Sequence, residues 1–120
     1  SNAIPQLVQS EAVLRTTSVG MFTLTKTENV IGGPHVQAGI SPDIDLTPYD
    51  PRLTVSRPHA RIRRQGSRFE IINERPRNPM HINGQLIPPA RPHVLHDGDH
   101  ITLGDVELVF ITATSTSEQD

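Results

Sequence analysis

Short apolar runs, repeatedly cut by proline and glycine, govern what this chain can fold into. With 11 Pro and 8 Gly among 120 residues, no window keeps a helical repeat, whereas several alternate strictly. Phe22 and Leu24 share one face of Gly20 to Thr25. Ala60-Arg61-Ile62-Arg63 and Arg68-Phe69-Glu70-Ile71 each put apolar groups on one side and charges on the other. That period of two belongs to strands with one buried and one wet face. Asp99 to Leu103 and Val106 to Phe110 form two more strands around Gly104-Asp105, a glycine-first pair suited to a tight hairpin. Asn83-Gly84 is a stronger hairpin signal, because both turn positions need positive φ and these residues tolerate it best. Gln65-Gly66-Ser67, Pro88-Pro89 and Asp97-Gly98 supply further turns. The spacing predicts an all-β, two-sheet antiparallel sandwich of about eleven strands.

At 120 residues the chain has material for one core, not two. Its aromatics are Phe22, Phe69, Phe110 and Tyr49, so the core must rest on Ile, Leu and Val. A formal charge of -2 gives no support for a nucleic-acid field. The absence of cysteine removes disulfides, thiolate metal sites and a Cys nucleophile, and fits a cytoplasmic setting. No apolar run nears the roughly 18 residues that span a bilayer. Ser1-Asn2-Ala3 has the form of a cleaved-tag scar. The expected divisions are a tail at 1–10, one domain at 11–113 and a disordered C-terminal tail at 114–120.

Between Gly32 and Pro58 the pattern changes. Pro-containing turns crowd this stretch, and only Ile44 and Leu46 suggest a strand. Long loops inside compact domains often carry function.

Four segments, in order, carry a resemblance: Val30-Ile31-Gly32, then Val55-Ser56-Arg57-Pro58-His59-Ala60-Arg61-Ile62, then Ile82-Asn83-Gly84-Gln85, and then Leu95 to Gly104. Together they resemble the forkhead-associated (FHA) domain, whose pattern runs Ile-Gly-Arg, Ser-x-x-His, Asn-Gly-Thr, Val-Asn-Gly and Leu-x-x-Gly-Asp-x-Ile-x-Leu-Gly. The likeness extends from about Leu14 to Phe110. It implies loops at one end of a sandwich that hold phosphothreonine in an extended peptide, with no turnover chemistry and no cofactor. The partner it implies is a phosphorylated protein, such as a substrate of a Ser/Thr kinase, with neither nucleic acid nor membrane involved.

A phosphothreonine brings nearly two negative charges and three acceptor oxygens, so its pocket needs hydroxyl, amide and cationic donors. By that resemblance Ser56, Arg57 and Asn78 are the phosphopeptide-binding residues, and Gly32 and His59 support the loop from behind. The pattern breaks at two places. Gly33 stands where the family has its phosphate-binding Arg, and Arg77-Asn78-Pro79-Met80 replaces Asn-Gly-Thr. Losing one charge-assisted contact costs ~1.5–3 kcal/mol. Arg52, Arg75 and Arg77 are the candidate substitute cations; the alternative is a degenerate domain that binds its partners without phosphate.

Other readings are weaker. Ser56 and His59 lack the nucleophile elbow and third orienting group of a hydrolase. His93, His96 and His100 with Asp97 and Asp99 show no metal-ligand spacing and read as residues around a turn. Arg61, Arg63, Arg64 and Arg68 read as a solvated outer face, without the aromatic platforms of a single-strand binder. Thr16, Thr17 and the Thr112 to Ser117 stretch read as a strand edge and a tail, not as phosphorylation sites.

Overall fold

A computed structural model describes residues 12–16, 20–74 and 79–112. The expected tails at 1–10 and 114–120, Thr17, and three of the proposed site residues, Arg75, Arg77 and Asn78, lie outside the described residues.

Eleven strands run in order among the described residues: β1 (Ala12–Thr16), β2 (Met21–Thr23), β3 (Glu28–Gly32), β4 (Ile44–Asp45), β5 (Ala60–Gln65), β6 (Arg68–Asn73), β7 (Met80–Ile82), β8 (Gln85–Leu86), β9 (His93–Leu95), β10 (His100–Leu103) and β11 (Val106–Thr112). They form a six-stranded sheet ordered β2-β1-β11-β10-β7-β8 and a five-stranded sheet ordered β4-β3-β5-β6-β9. The architecture is the all-β sandwich that alternation predicted.

The alternating residues face as their pattern requires. Ile62 and Ile71 are opposed in register across β5 and β6 and are both fully buried. Ile101 and Leu108 do the same across β10 and β11. Phe69 and Phe110 meet between the sheets with ring centroids 5.4 Å apart, a favourable edge-to-face contact in a core short of aromatics.

Turns follow from their residues too. Asn83 and Gly84 take φ of 53° and 84°, the pair of positive values a type I′ hairpin needs between β7 and β8. The edge strands β2, β4, β8 and β9 have only two or three residues each, which limits edge-to-edge pairing with other chains.

One pairing departs from the expected antiparallel rule. β3 and β4 are parallel, with Ile31 opposite Ile44 and Gly32 opposite Asp45. The long 33–43 connection gives the chain room to cross over before pairing. A 3-10 turn at Val36–Ala38 lies within that connection, and a second at Thr47–Tyr49 follows β4. Leu46, between β4 and the second turn, is fully buried.

The arginine stripe on the outer face of the five-stranded sheet is met by carboxylates. Arg61 reaches Glu74 at 3.0 Å and Glu28 at 3.4 Å, and Glu70 faces Arg63 at 3.3 Å and Arg68 at 3.6 Å. The hydrogen bonds that Arg61 donates to Glu74 hold its guanidinium above its ordinary range. Interleaved acids and bases of this kind give no one-sign field to attract a polyanion.

β1 pairs with β11 from Ala12 opposite Thr112 to Thr16 opposite Leu108. The described chain therefore starts and finishes at one end of the sandwich, while the Gly104–Asp105 turn between β10 and β11 marks the other.

Candidate functional site

At the Gly104–Asp105 end, the residues after β3 and before β5 are locked together. Gly32 closes β3 at φ +144°, and a Cβ there would stand 2.6 Å from both the Ser56 carbonyl oxygen and the His59 nitrogen. Only glycine lets the two backbones come this close. Gly33 N–H donates to Ser56 O at 3.0 Å, and His59 N–H donates to Ile31 O at 2.9 Å. The loop of residues 56–59 is thus fixed to the end of a core strand.

His59 lies under this loop with no exposed surface. Its Nδ1 accepts the Ser56 N–H at 3.1 Å, and its own carbonyl accepts the Glu74 N–H at 2.9 Å. The imidazole nitrogen facing Ser56 is thus engaged by the amide, which is the geometry of a brace. Ser56 is half-buried above it and Arg57 is exposed.

Three residues that sequence reasoning passed over build the approach to Ser56. Asp50 follows the second 3-10 turn and is only 2% exposed. Its carboxylate accepts the Thr54 N–H at 3.0 Å, the Thr54 hydroxyl at 2.7 Å and the Val55 N–H at 2.8 Å. Burial pushes the Asp50 carboxyl up, but these donors, with the charge of Arg52, outweigh it and hold it below the usual carboxylate range. Thr54 Oγ1 in turn accepts the Asp105 N–H at 2.7 Å, tying this loop to the β10–β11 turn. Leu53, between Asp50 and Thr54, sits at φ +54° and is 69% exposed. The available signal was Asp-Pro with a hydroxyl residue four positions after the Asp, a local capping arrangement.

The candidate cations divide. Arg52 lies near the turn, its Nε 3.3 Å from a carboxylate oxygen of Asp105. Arg57 lies on the braced loop, and its aliphatic stem covers Gly33: a Cβ built on Gly33 would stand 2.8 Å from Arg57 Cγ and 3.4 Å from Cδ. Gly33, Pro34, Val36, Leu53, Val55 and Arg57 line a cleft beside it. The segment carrying Arg75, Arg77 and Asn78 follows directly on Glu74, the residue bonded to His59.

At the opposite end, the His/Asp group works as turn structure. Asp97 accepts the Thr112 N–H at 2.9 Å, and Asp99 accepts the His96 N–H at 2.8 Å and an Asn83 side-chain N–H at 3.0 Å. Among the described residues, no three His, Cys, Asp or Glu stand together in a metal-binding group.

The family model for the FHA domain matches residues 35–104. The chain belongs to the FHA domain family. The match includes Ser56, Arg57, His59 and Asn78, with Gly32 and Gly33 just before it. Among relatives of this FHA domain, the glycogen accumulation regulator GarA of Mycolicibacterium smegmatis is 33% identical over 85 residues, covering 71% of this chain and 51% of the relative. An oxoglutarate dehydrogenase inhibitor of Corynebacterium diphtheriae is 37% identical over 78 residues, covering 65% of this chain and 51% of the relative. The chain thus spans about half the length of these curated relatives. The structure of Mycobacterium tuberculosis EmbR in complex with a low-affinity phosphopeptide superposes with a TM-score of 0.71 at 30% identity, over 86% of this FHA domain and 24% of EmbR.

Proposed function

We propose that this FHA domain is a non-catalytic interaction module that reads phosphothreonine in partner proteins. The observation that carries this reading is the braced loop: Ser56 and Arg57 are held next to each other on backbone fixed by Gly32 and by the buried His59. A hydroxyl and a guanidinium on a pre-ordered loop are donors of the kind a phosphate dianion requires. EmbR, a relative in fold and sequence, is known in complex with a phosphopeptide, and other relatives bear the names of a regulator and an inhibitor, which suits a module that acts by binding.

In this reading Ser56 donates its hydroxyl, Arg57 its charge, and Asn78 engages the peptide backbone. Arg52, Arg75 and Arg77 are auxiliary cations. The folding unit is 11–113. The partner is the phosphorylated product of a Ser/Thr kinase, met in the cytoplasm; among the described residues no helix is long and apolar enough to cross a membrane.

Gly33 favours a second reading, because it takes away the side chain that the family uses as a phosphate ligand: a phosphate-independent protein-interaction domain on the same scaffold. Calorimetric titration with matched phosphorylated and unphosphorylated threonine peptides separates the two. The first predicts binding at least about tenfold tighter for the phosphorylated member. Equal affinities would leave only the second.

A further inference from the structure

Val36 and Leu53 are apolar side chains standing in water beside the Ser56 loop. Among the described residues the exposed large hydrophobics are Met21, Val36, Leu53 and Leu86. Met21 and Leu86 lie on β2 and β8, at the two edges of the six-stranded sheet. Val36, 83% exposed, comes from the connection after β3, and Leu53, 69% exposed, from the chain before β5. Both line the cleft that Gly33, Pro34, Val55 and Arg57 share.

Leu53 is also held in an unfavourable backbone conformation. Its N–H donates to Asp50 O at 3.0 Å, closing a turn over Asp50-Pro51-Arg52-Leu53. The next two residues then direct their N–H groups at the Asp50 carboxylate, and Leu53 makes that bend at φ +54°. A glycine takes this φ without strain, whereas a residue with a Cβ does not. A leucine here gains neither core burial nor an unstrained backbone from the fold. Strained residues gather at ligand clamps, and exposed apolar groups that cluster mark binding surfaces.

The cleft has a volume of about 170 Å³, close to the roughly 150 Å³ apolar cavity that takes up a benzene ring. That suits one aliphatic side chain. The acid on its wall, Asp50, is only 2% exposed and its carboxylate is engaged by Thr54 and Val55. The cleft is continuous with the Ser56 loop, because Val55 and Arg57 are the two chain neighbours of Ser56. Consecutive Cα atoms are about 3.8 Å apart, and an extended peptide advances about 3.3 Å per residue. The side chains up to three residues from a phosphothreonine held at Ser56 are therefore within reach of this cleft.

We propose that the cleft is a second specificity site, which takes one aliphatic side chain of the phosphothreonine peptide between Val36 and Leu53. The proposal rests on the phosphothreonine reading and deepens it by naming the peptide class: phosphothreonine with an aliphatic residue within three positions. The phosphate supplies the charged contact, and the aliphatic side chain covers Val36 and Leu53, which the fold leaves uncovered. Pockets of this kind give an extended peptide its specificity.

A phosphothreonine peptide library randomised at three positions on each side, screened against the parent chain, is expected to select Leu, Ile, Val or Met at one of them. Two peptides differing only there, with leucine or alanine, should then differ about five- to thirtyfold in affinity. Val36→Ser and Leu53→Gly should each shrink that ratio, and the double variant should bring it near one, by weakening the leucine peptide far more than the alanine peptide. Leu53→Gly should melt no lower than the parent, because glycine relieves the backbone, so that stability holds while selectivity falls. Should Leu53→Gly melt lower, Val36→Ser decides, since it alters a side chain outside the core. The absence of aliphatic selection, or selection that both variants leave intact, overturns the cleft's role and leaves the phosphothreonine reading in place. A parent dimer in sedimentation that Leu53→Gly dissociates overturns it too, by giving the cleft to a second copy of the chain. An unphosphorylated twin of the leucine peptide that binds as tightly as the phosphorylated one overturns the phosphothreonine reading itself.

Discussion

The carboxylate of Asp50 accepts both the backbone N–H and the hydroxyl of Thr54, at 3.0 and 2.7 Å. A third bond to the Val55 N–H makes Asp50 the organiser of the chain that leads into Ser56. Because Asp50 is buried, Asp50→Ala strands donors that water reaches poorly. The expected loss is about 2–4 kcal/mol of folding stability, read from urea unfolding, with a weaker phosphopeptide complex as Ser56 loses its fixed position. An unchanged unfolding midpoint would show that the loop holds its shape without this carboxylate.

Stability should fall in acid through the same group. The Asp50 carboxyl lies below its ordinary value of 3.8 in the folded protein, as does that of Asp43, whose opposing burial is outweighed by Lys26 and the Val30 N–H. A depressed folded pKa means the unfolded chain binds protons first. The stabilisation is complete well above pH 3.8, where both states are ionised, and is lost as pH drops below 3.8 towards the folded values. Unfolding midpoints taken between pH 7 and pH 2 should decline in this window, and the acid limb should be shallower in Asp50→Asn. A limb of equal steepness in that variant would assign acid sensitivity to other carboxylates.

Ser56 and His59 are only three residues apart but should fail in different ways. Ser56 is half-buried on the outer side of the loop, so Ser56→Ala should cost phosphopeptide affinity, about tenfold or more, with little change in melting temperature. His59→Ala empties a buried position and deprives the Ser56 N–H of its acceptor, so about 2–4 kcal/mol of stability should go with it. If His59→Ala melts like the parent, the brace is elsewhere.

Two glycines of similar φ should respond unequally to alanine. Gly66 has φ +67° with open space around it, while Gly104 has φ +59° and a Cβ there would stand 2.5 Å from both the Thr54 carbonyl oxygen and hydroxyl oxygen. Gly66→Ala should cost about 1 kcal/mol from backbone strain alone. Gly104→Ala adds a collision with the loop that carries Thr54, and should cost roughly 2–3 kcal/mol while loosening phosphopeptide binding. Chemical denaturation of the pair is enough to compare them; equal losses would mean that the β10–β11 turn yields without disturbing Thr54.

The parts of this fold that could be read in advance obey local rules. Asn83-Gly84 had to turn because few other residues accept two successive positive φ values, and Ile62 and Ile71 had to face inward because their neighbours are charged. Contacts between loops follow no such rule. Asp50 falls among the Pro-containing turns of the 32–58 stretch, and its burial depends on how the second 3-10 turn packs. The parallel pairing of Ile31 with Ile44 depends on a crossover with no regular periodicity. Gly33 read as a residue lost from a binding motif, and its relation to Arg57 is visible only once β3 and the loop before β5 are brought together. Ser56, Arg57 and His59 could be found because they fall within a short contiguous motif; Thr54 and Leu53 lie just outside it.

The pairing of Ala12 with Thr112 places any polypeptide flanking this domain at two attachment points about 5 Å apart. Both are about 20 Å, the length of β11, from the turn beside the loop that carries Ser56. The two points of attachment thus share the end of the sandwich opposite the Ser56 loop, so a longer protein that holds the domain by them leaves the proposed phosphothreonine surface at the far end.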